Sequence, residues 1–137
     1  MAGLYRTVFP ERSRSFPGQR WVSIGLRCLH LVGIAGAGGL FLYGAPASEA
    51  GPFLQLAIWS GVGMAAVRLY CNGSWLVQAR GQVTLAKLPL LYTVGLLEGA
   101  AAALLFAAVI ILAGVFAHAP GDVRYYSIWH RRRIEAL

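Results

Sequence analysis

Acidic side chains are what this sequence has least of. Five Asp and Glu stand against twelve Lys and Arg in 137 residues, and the charged types together make up 12%. A water-soluble domain carries about 25% charged residues. The chain therefore lacks the polar surface to cover itself, and a bilayer is its expected solvent. Scarce acids also weaken any paired-carboxylate chemistry, because Glu49 and Glu98 fall in short turns between apolar runs. Cys28 and Cys71 are the two cysteines and form no C-x-x-C, so a disulfide framework and a thiolate metal site are both set aside. Gly-x-Ser-x-Gly, His-Glu-x-x-His and phosphate-loop motifs are missing. Nothing places a base beside a nucleophile. The expectation is a protein without catalysis and without a metal site.

Apolar residues supply 58% of the chain. Trp21–Gly44 is the first long run and the one the others must accommodate; at 1.5 Å per residue it crosses a core of about 30 Å. Its centre is glycine and alanine, poor for a helix in water but suited to close helix contact in lipid. Gly33 with Ala37, and Ala35 with Gly39, are small-xxx-small pairs; Ala57, Gly61 and Ala65 repeat the spacing in the next run. The whole reads as an all-α membrane protein, a bundle of four transmembrane helices at about 21–44, 53–70, 75–97 and 99–117. Ala45–Pro52 is read as a turn, Ser74 as the N-cap of the third helix, and Gly95–Gly99 as the break between the third and fourth. Pro89 is expected to bend the third span.

Basic residues set the orientation. Residues 1–20 form a basic arm with Arg6, Arg12, Arg14 and Arg20 but no apolar core of a signal peptide, so the first span is expected to be retained. Arg68–Arg80 and Arg124–Arg133 hold most of the remaining cations, whereas the turns at 45–52 and 95–99 hold none. The positive-inside rule then puts both termini in the cytoplasm, which four crossings also require. This topology accounts for the basic charge without a nucleic-acid partner. Residues 118–137 close the chain as an interfacial segment with Tyr125, Tyr126 and Trp129 at headgroup depth.

That tail, HAPGDVRYYSIWHRR, resembles the ending of a group of small four-helix bacterial inner-membrane proteins with a His-x-Pro-Gly turn followed by Arg-Tyr-Tyr-Ser…His. WLVQARGQVTLAKLPLL resembles the third span of the same group. CLHLVGIAGAGG is similar, more loosely, to the first helix of copper-resistance D-type and cytochrome-b-like membrane proteins. The resemblance covers roughly half the chain and implies an architecture and an inner-membrane location, with no assigned reaction. Two departures are visible: Asp122 stands where a basic residue is usual, and Arg131 follows His130 where a Gly is usual. Both argue against an anion-binding role for that turn.

His30 is the sharpest site residue, about 13 Å into the first helix. It either bonds a neighbouring helix and fixes packing, or it ligates haem b or copper, with His118 or a residue from another chain as the companion ligand. Arg27, Arg68, Arg80 and Lys87 are expected to meet headgroups or a partner's acids, as are Arg124 and Arg131 in the tail. The resulting expectation is a non-catalytic subunit that docks on, assembles or stabilises a larger membrane complex and contacts lipid. The alternative is a haem- or copper-handling membrane protein built on His30.

Overall fold

A computed structural model describes residues 9–10 and 12–134; residues 1–8 and 11 of the expected basic arm, and 135–137, lie outside these. The chain forms α1 (Gln19–Leu42), α2 (Ala47–Cys71), a 3₁₀ turn (Gly73–Val77), α3 (Ala79–Val94), α4 (Gly99–His118) and a short α5 (Gly121–Arg124). A two-residue antiparallel pair follows, β1 (Tyr126–Ser127) and β2 (Arg132–Arg133), in the register Tyr126↔Arg133 and Ser127↔Arg132.

Three of these helices, α1, α2 and α4, are long and apolar enough to cross a bilayer. Most of each apolar stretch faces outward: Leu31, Trp59, Leu104 and Ile111 are all more than 60% exposed. A helical chain that turns its leucines out is built for an apolar surround.

α1 and α2 make the most extensive helix pair, and they run antiparallel. Leu26 meets Gly63, His30 meets Gly61, Gly33 meets Ala57 and Gly36 meets Phe53, so α2 numbers fall as α1 numbers rise. The closest approach to the backbone of α2 is at Gly33. A Cβ there would sit 2.6 Å from the backbone nitrogen of Ala57 and 2.8 Å from the carbonyl oxygen of Phe53. Ala37 and Ala57 are buried on the same face. Ala35 is exposed and a Cβ on Gly39 would meet nothing, so the second small pair takes no part in this contact.

The turn after α1 shows why that helix stops. Gly44 adopts φ 70°, its N–H donates to Phe41 O, and the N–H of Ala45 donates to Leu40 O at 2.9 Å. These are the two bonds of a Schellman cap, which needs a left-handed residue at Gly44. α2 then begins at Ala47, earlier than the expected turn allows. Glu49 favours this start by lying in the first turn beside the positive end of the helix dipole. Pro52 is accommodated inside α2, where it removes only one donor.

The expected third span differs most. Residues 73–77 form the 3₁₀ turn, Gln78 is extended (ψ 147°), and the α-helix covers only 79–94, about 24 Å. Ser74 lies inside the 3₁₀ turn and is not the N-cap of α3: Asn72 caps that turn, its Oδ1 accepting from the backbone N–H of Ser74 at 2.9 Å, and Gln78 holds the cap position of α3 without a side-chain cap bond. The break follows from what Gln78 does, since its fully buried side chain donates to the carbonyl of Ile134 at 2.7 Å and ties the tail to this corner. α3 stops at Val94 and α4 starts at Gly99, which places the turn within residues 95–98.

All four long helices meet at one end. Ala37 and Phe41 of α1, Ala50 and Leu54 of α2, Leu91 and Val94 of α3, and Ala102, Phe106 and Val109 of α4 form one apolar cluster. Phe41 and Phe106 anchor it with ring centroids 5.4 Å apart.

Gly33→Ala is expected to lower the melting temperature in detergent markedly, because its methyl group meets backbone rather than a flexible side chain. Gly39→Ala, at an open helical position, is expected to be neutral or to stabilise by up to about 1 kcal/mol. Thermal denaturation of the two variants beside the parent checks both.

Candidate functional site

His30 sits midway along α1 and faces α2. Its Nδ1 lies 2.7 Å from the carbonyl oxygen of Ala57 and 3.2 Å from Ser60 Oγ. A carbonyl only accepts, so Nδ1 carries the proton and Nε2 holds the lone pair. The Ser60 hydroxyl donates to Leu56 O at 2.6 Å and has Ala57 O within 3.2 Å. The small residue at Gly61 leaves room for the ring, whose Cε1 would be 3.3 Å from a Cβ placed there. His118 ends α4, is exposed, and makes no hydrogen bond with His30. Among the described residues no three His, Cys, Asp or Glu cluster as a metal site.

A second polar assembly lies at the opposite end from the apolar cluster, where chain segments from both flanks converge on the α2–α3 connection. On one side, Arg14 N–H donates to Cys71 O at 2.9 Å, the Arg14 guanidinium lies 5.0 Å from the Tyr70 ring centroid, and Phe16 packs edge-on against Tyr70. Gln19 donates to Cys71 Sγ at 3.1 Å. On the other side Tyr125 is the hub. Arg80, Arg124 and Arg133 stack on its ring at 4.6, 5.5 and 5.6 Å, and its carbonyl accepts from Ile134 N–H at 2.9 Å. Arg80 Nε donates to Gln78 Oε1 at 2.6 Å, while Arg133 pairs with Asp122 at 2.9 Å. Ser127, fully buried in β1, bonds His130 Nδ1 at 3.0 Å and closes the hairpin.

Between these two halves is a polar pocket of about 130 Å³ lined by Ser13, Arg68, Asn72, Ser74, Gln78 and Arg80. Arg27 lies beside it, sharing a smaller groove with Arg68 and Met64. Arg27, Arg68 and Arg80 are thus brought to one end of the bundle, whereas Lys87 lies half-buried along α3 near His30. Arg131 is exposed at the hairpin tip with φ 49°, a left-handed position that glycine fills without strain. Ala65 is half-buried on α2. The residues that sequence reasoning passes over are the neutral ones: Gln78, Ser60 and Asn72 look like ordinary polar side chains until the chain folds.

No protein-family model, curated protein or solved structure matches this chain.

His30→Ala is expected to cost only about 1 kcal/mol, because Ser60 is placed to serve Ala57 O once the imidazole is gone. The double variant with Ser60→Ala should lose more than the sum of the two single changes, which a double-mutant cycle of melting curves in detergent measures. Gln78→Ala orphans the Ile134 carbonyl and strips Arg80 of its acceptor. Its expected signature is faster tryptic cleavage after half-buried Arg124, with cleavage after exposed Arg131 little changed.

Proposed function

We propose that the protein is a non-catalytic subunit of a bacterial inner membrane, a four-crossing helical bundle that docks on a larger membrane complex and helps assemble or stabilise it. The single observation that supports this best is the outward face of the long helices. They are apolar and well exposed, and among the described residues the enclosed polar contact midway along α1 is the small His30–Ala57–Ser60 group.

In this reading α1, α2 and α4 cross as complete spans. α3 crosses together with the 3₁₀ turn, whose five residues add about 10 Å to the helix. Both termini are cytoplasmic. Arg27, Arg68, Arg80, Arg124 and Arg131 then face the inner leaflet, where lipid phosphates or a partner's carboxylates supply the missing acids.

A second reading, a haem- or copper-handling protein, rests on the tautomer of His30. An imidazole that gives its Nδ1 proton to a backbone carbonyl presents Nε2 as a ligand, the arrangement common in metal-bound histidines. The companion ligand would come from His118 or another chain.

One native purification in mild detergent separates the two. The docking reading expects a colourless protein that co-elutes with a defined membrane complex, with tags on Met1 and Leu137 both shielded in right-side-out vesicles. A Soret band or stoichiometric copper, lost in His30→Ala, would establish the second reading instead. Recovery of the protein alone, dispersed and colourless, would count against both.

A further inference from the structure

The pocket between the two polar halves is assembled from four separate stretches of chain and has one chemical character. Ser13 comes from the segment before α1, Arg68 from the last turn of α2, Asn72 and Ser74 from the connection, and Gln78 and Arg80 from the start of α3. Two guanidinium groups line it. Their fates differ: Arg80 is held by Gln78 Oε1 and the Tyr125 ring, whereas the Arg68 side chain has no hydrogen-bonding or ionic partner among the described residues. Arg68 and Arg124 both act on Arg80 through space, so like charges are gathered here. Among the described residues no carboxylate lines the cavity, and Asp122 is already taken by Arg133.

Like charges do not gather without cause, because two unscreened cations a few ångströms apart repel each other. What holds Arg80 in place is a set of interactions that leave its positive charge intact: a neutral amide, and a π face. Gln78 is in turn immobilised, fully buried, by Ile134. The fixed cation, the second cation without an internal partner and the rim of hydroxyl and amide groups match the recognition of a tetrahedral oxyanion, for which the guanidinium fork is suited.

We infer that the Ser13–Arg68–Asn72–Ser74–Gln78–Arg80 pocket binds a phosphate group, with Arg80 as the preset donor and Arg68 closing over the ligand. The site does not depend on the existence of a partner complex, so it stands or falls apart from the docking reading. A phospholipid headgroup and a free phosphate share this chemistry, and the experiment distinguishes them.

The purified full-length protein in a maltoside detergent and phosphate-free buffer is titrated with inorganic phosphate in one arm and with phosphatidylglycerol in the other. Binding is followed by the rise in melting temperature and, for the lipid, by native mass spectrometry. Arg68→Gln is the primary variant, because Arg68 has no internal partner to lose; Arg80→Gln is the second. The expected result is saturable stabilisation of the parent in at least one arm, with affinity reduced roughly tenfold or more in Arg68→Gln, as fits a charge-assisted contact. The double variant Arg131→Gln/Arg132→Gln, which removes two exposed cations from the hairpin, should bind as the parent does. Stabilisation by phosphatidylglycerol alone identifies the ligand as a headgroup, and stabilisation by inorganic phosphate alone identifies a solute. Absence of stabilisation in both arms overturns the inference, as does an equal loss in the hairpin variant, which would mark the effect as general surface charge.

Discussion

The backbone contact between α1 and α2 at Gly33 and Ala57 is the constraint on which the rest depends. Between two helices in lipid, burying side chains gives no hydrophobic gain, since the tails outside are as apolar as the residues inside. Association must come from dispersion between closely fitted surfaces and from hydrogen bonds. Both grow only if the backbones approach. At Gly33 the space that a methyl group would fill is occupied by the main chain of α2. One turn toward the N-terminus of α1, the same approach brings His30 within 2.7 Å of a carbonyl on the other helix. The small residue and the polar one are therefore two parts of a single joint: the first permits the distance and the second adds direction to it.

The two ends of the bundle solve different problems. The end near Phe41 and Phe106 is a plain apolar cluster to which all four long helices contribute. Among the described residues the other end gathers most of the cations, with Asp122 as the acid paired there. Charge is managed there through neutral acceptors and rings: carbonyl oxygen at Ala117, amide oxygen at Gln78, π faces at Tyr70 and Tyr125. An aromatic face attracts a guanidinium without neutralising it. The assembly is thereby ordered while its electrostatic field stays positive.

Much of the architecture is legible in the letters, because helix spacing, small-residue repeats and the Gly95–Gly99 break are local signals. Composition and periodicity locate α1, α2 and α4 to within a few residues at most ends. The start of α2 is missed because APASEAGP looks like turn chemistry; only the finished helix shows that Glu49 and Pro52 are acceptable in its early turns. The corner at Gln78 is missed for a deeper reason. Its role is set by a carbonyl 56 residues away, and no window of sequence contains both partners. Likewise Gly33 and Gly39 are equivalent as letters, yet only one faces α2. His30 is visible as an oddity in an apolar run, but the choice of Ala57 O as its acceptor, and with it the free Nε2, belongs to the packing.

The tail connects these observations. A hairpin of two-residue strands has little stability of its own. It persists here because it is fastened at both of its ends to something already folded: Ile134 to Gln78, and Tyr125 to Arg80 by way of its ring. Those fasteners lie on Gln78 and Arg80, at the start of α3, the shortest of the four long helices. Docking the tail thus fixes where α3 begins, and the start of α3 fixes where Arg80 stands relative to Arg68. The cation pair that defines the pocket is for this reason a product of the tail as much as of the helices that carry it. Its geometry cannot survive release of the hairpin, even though neither arginine belongs to that segment.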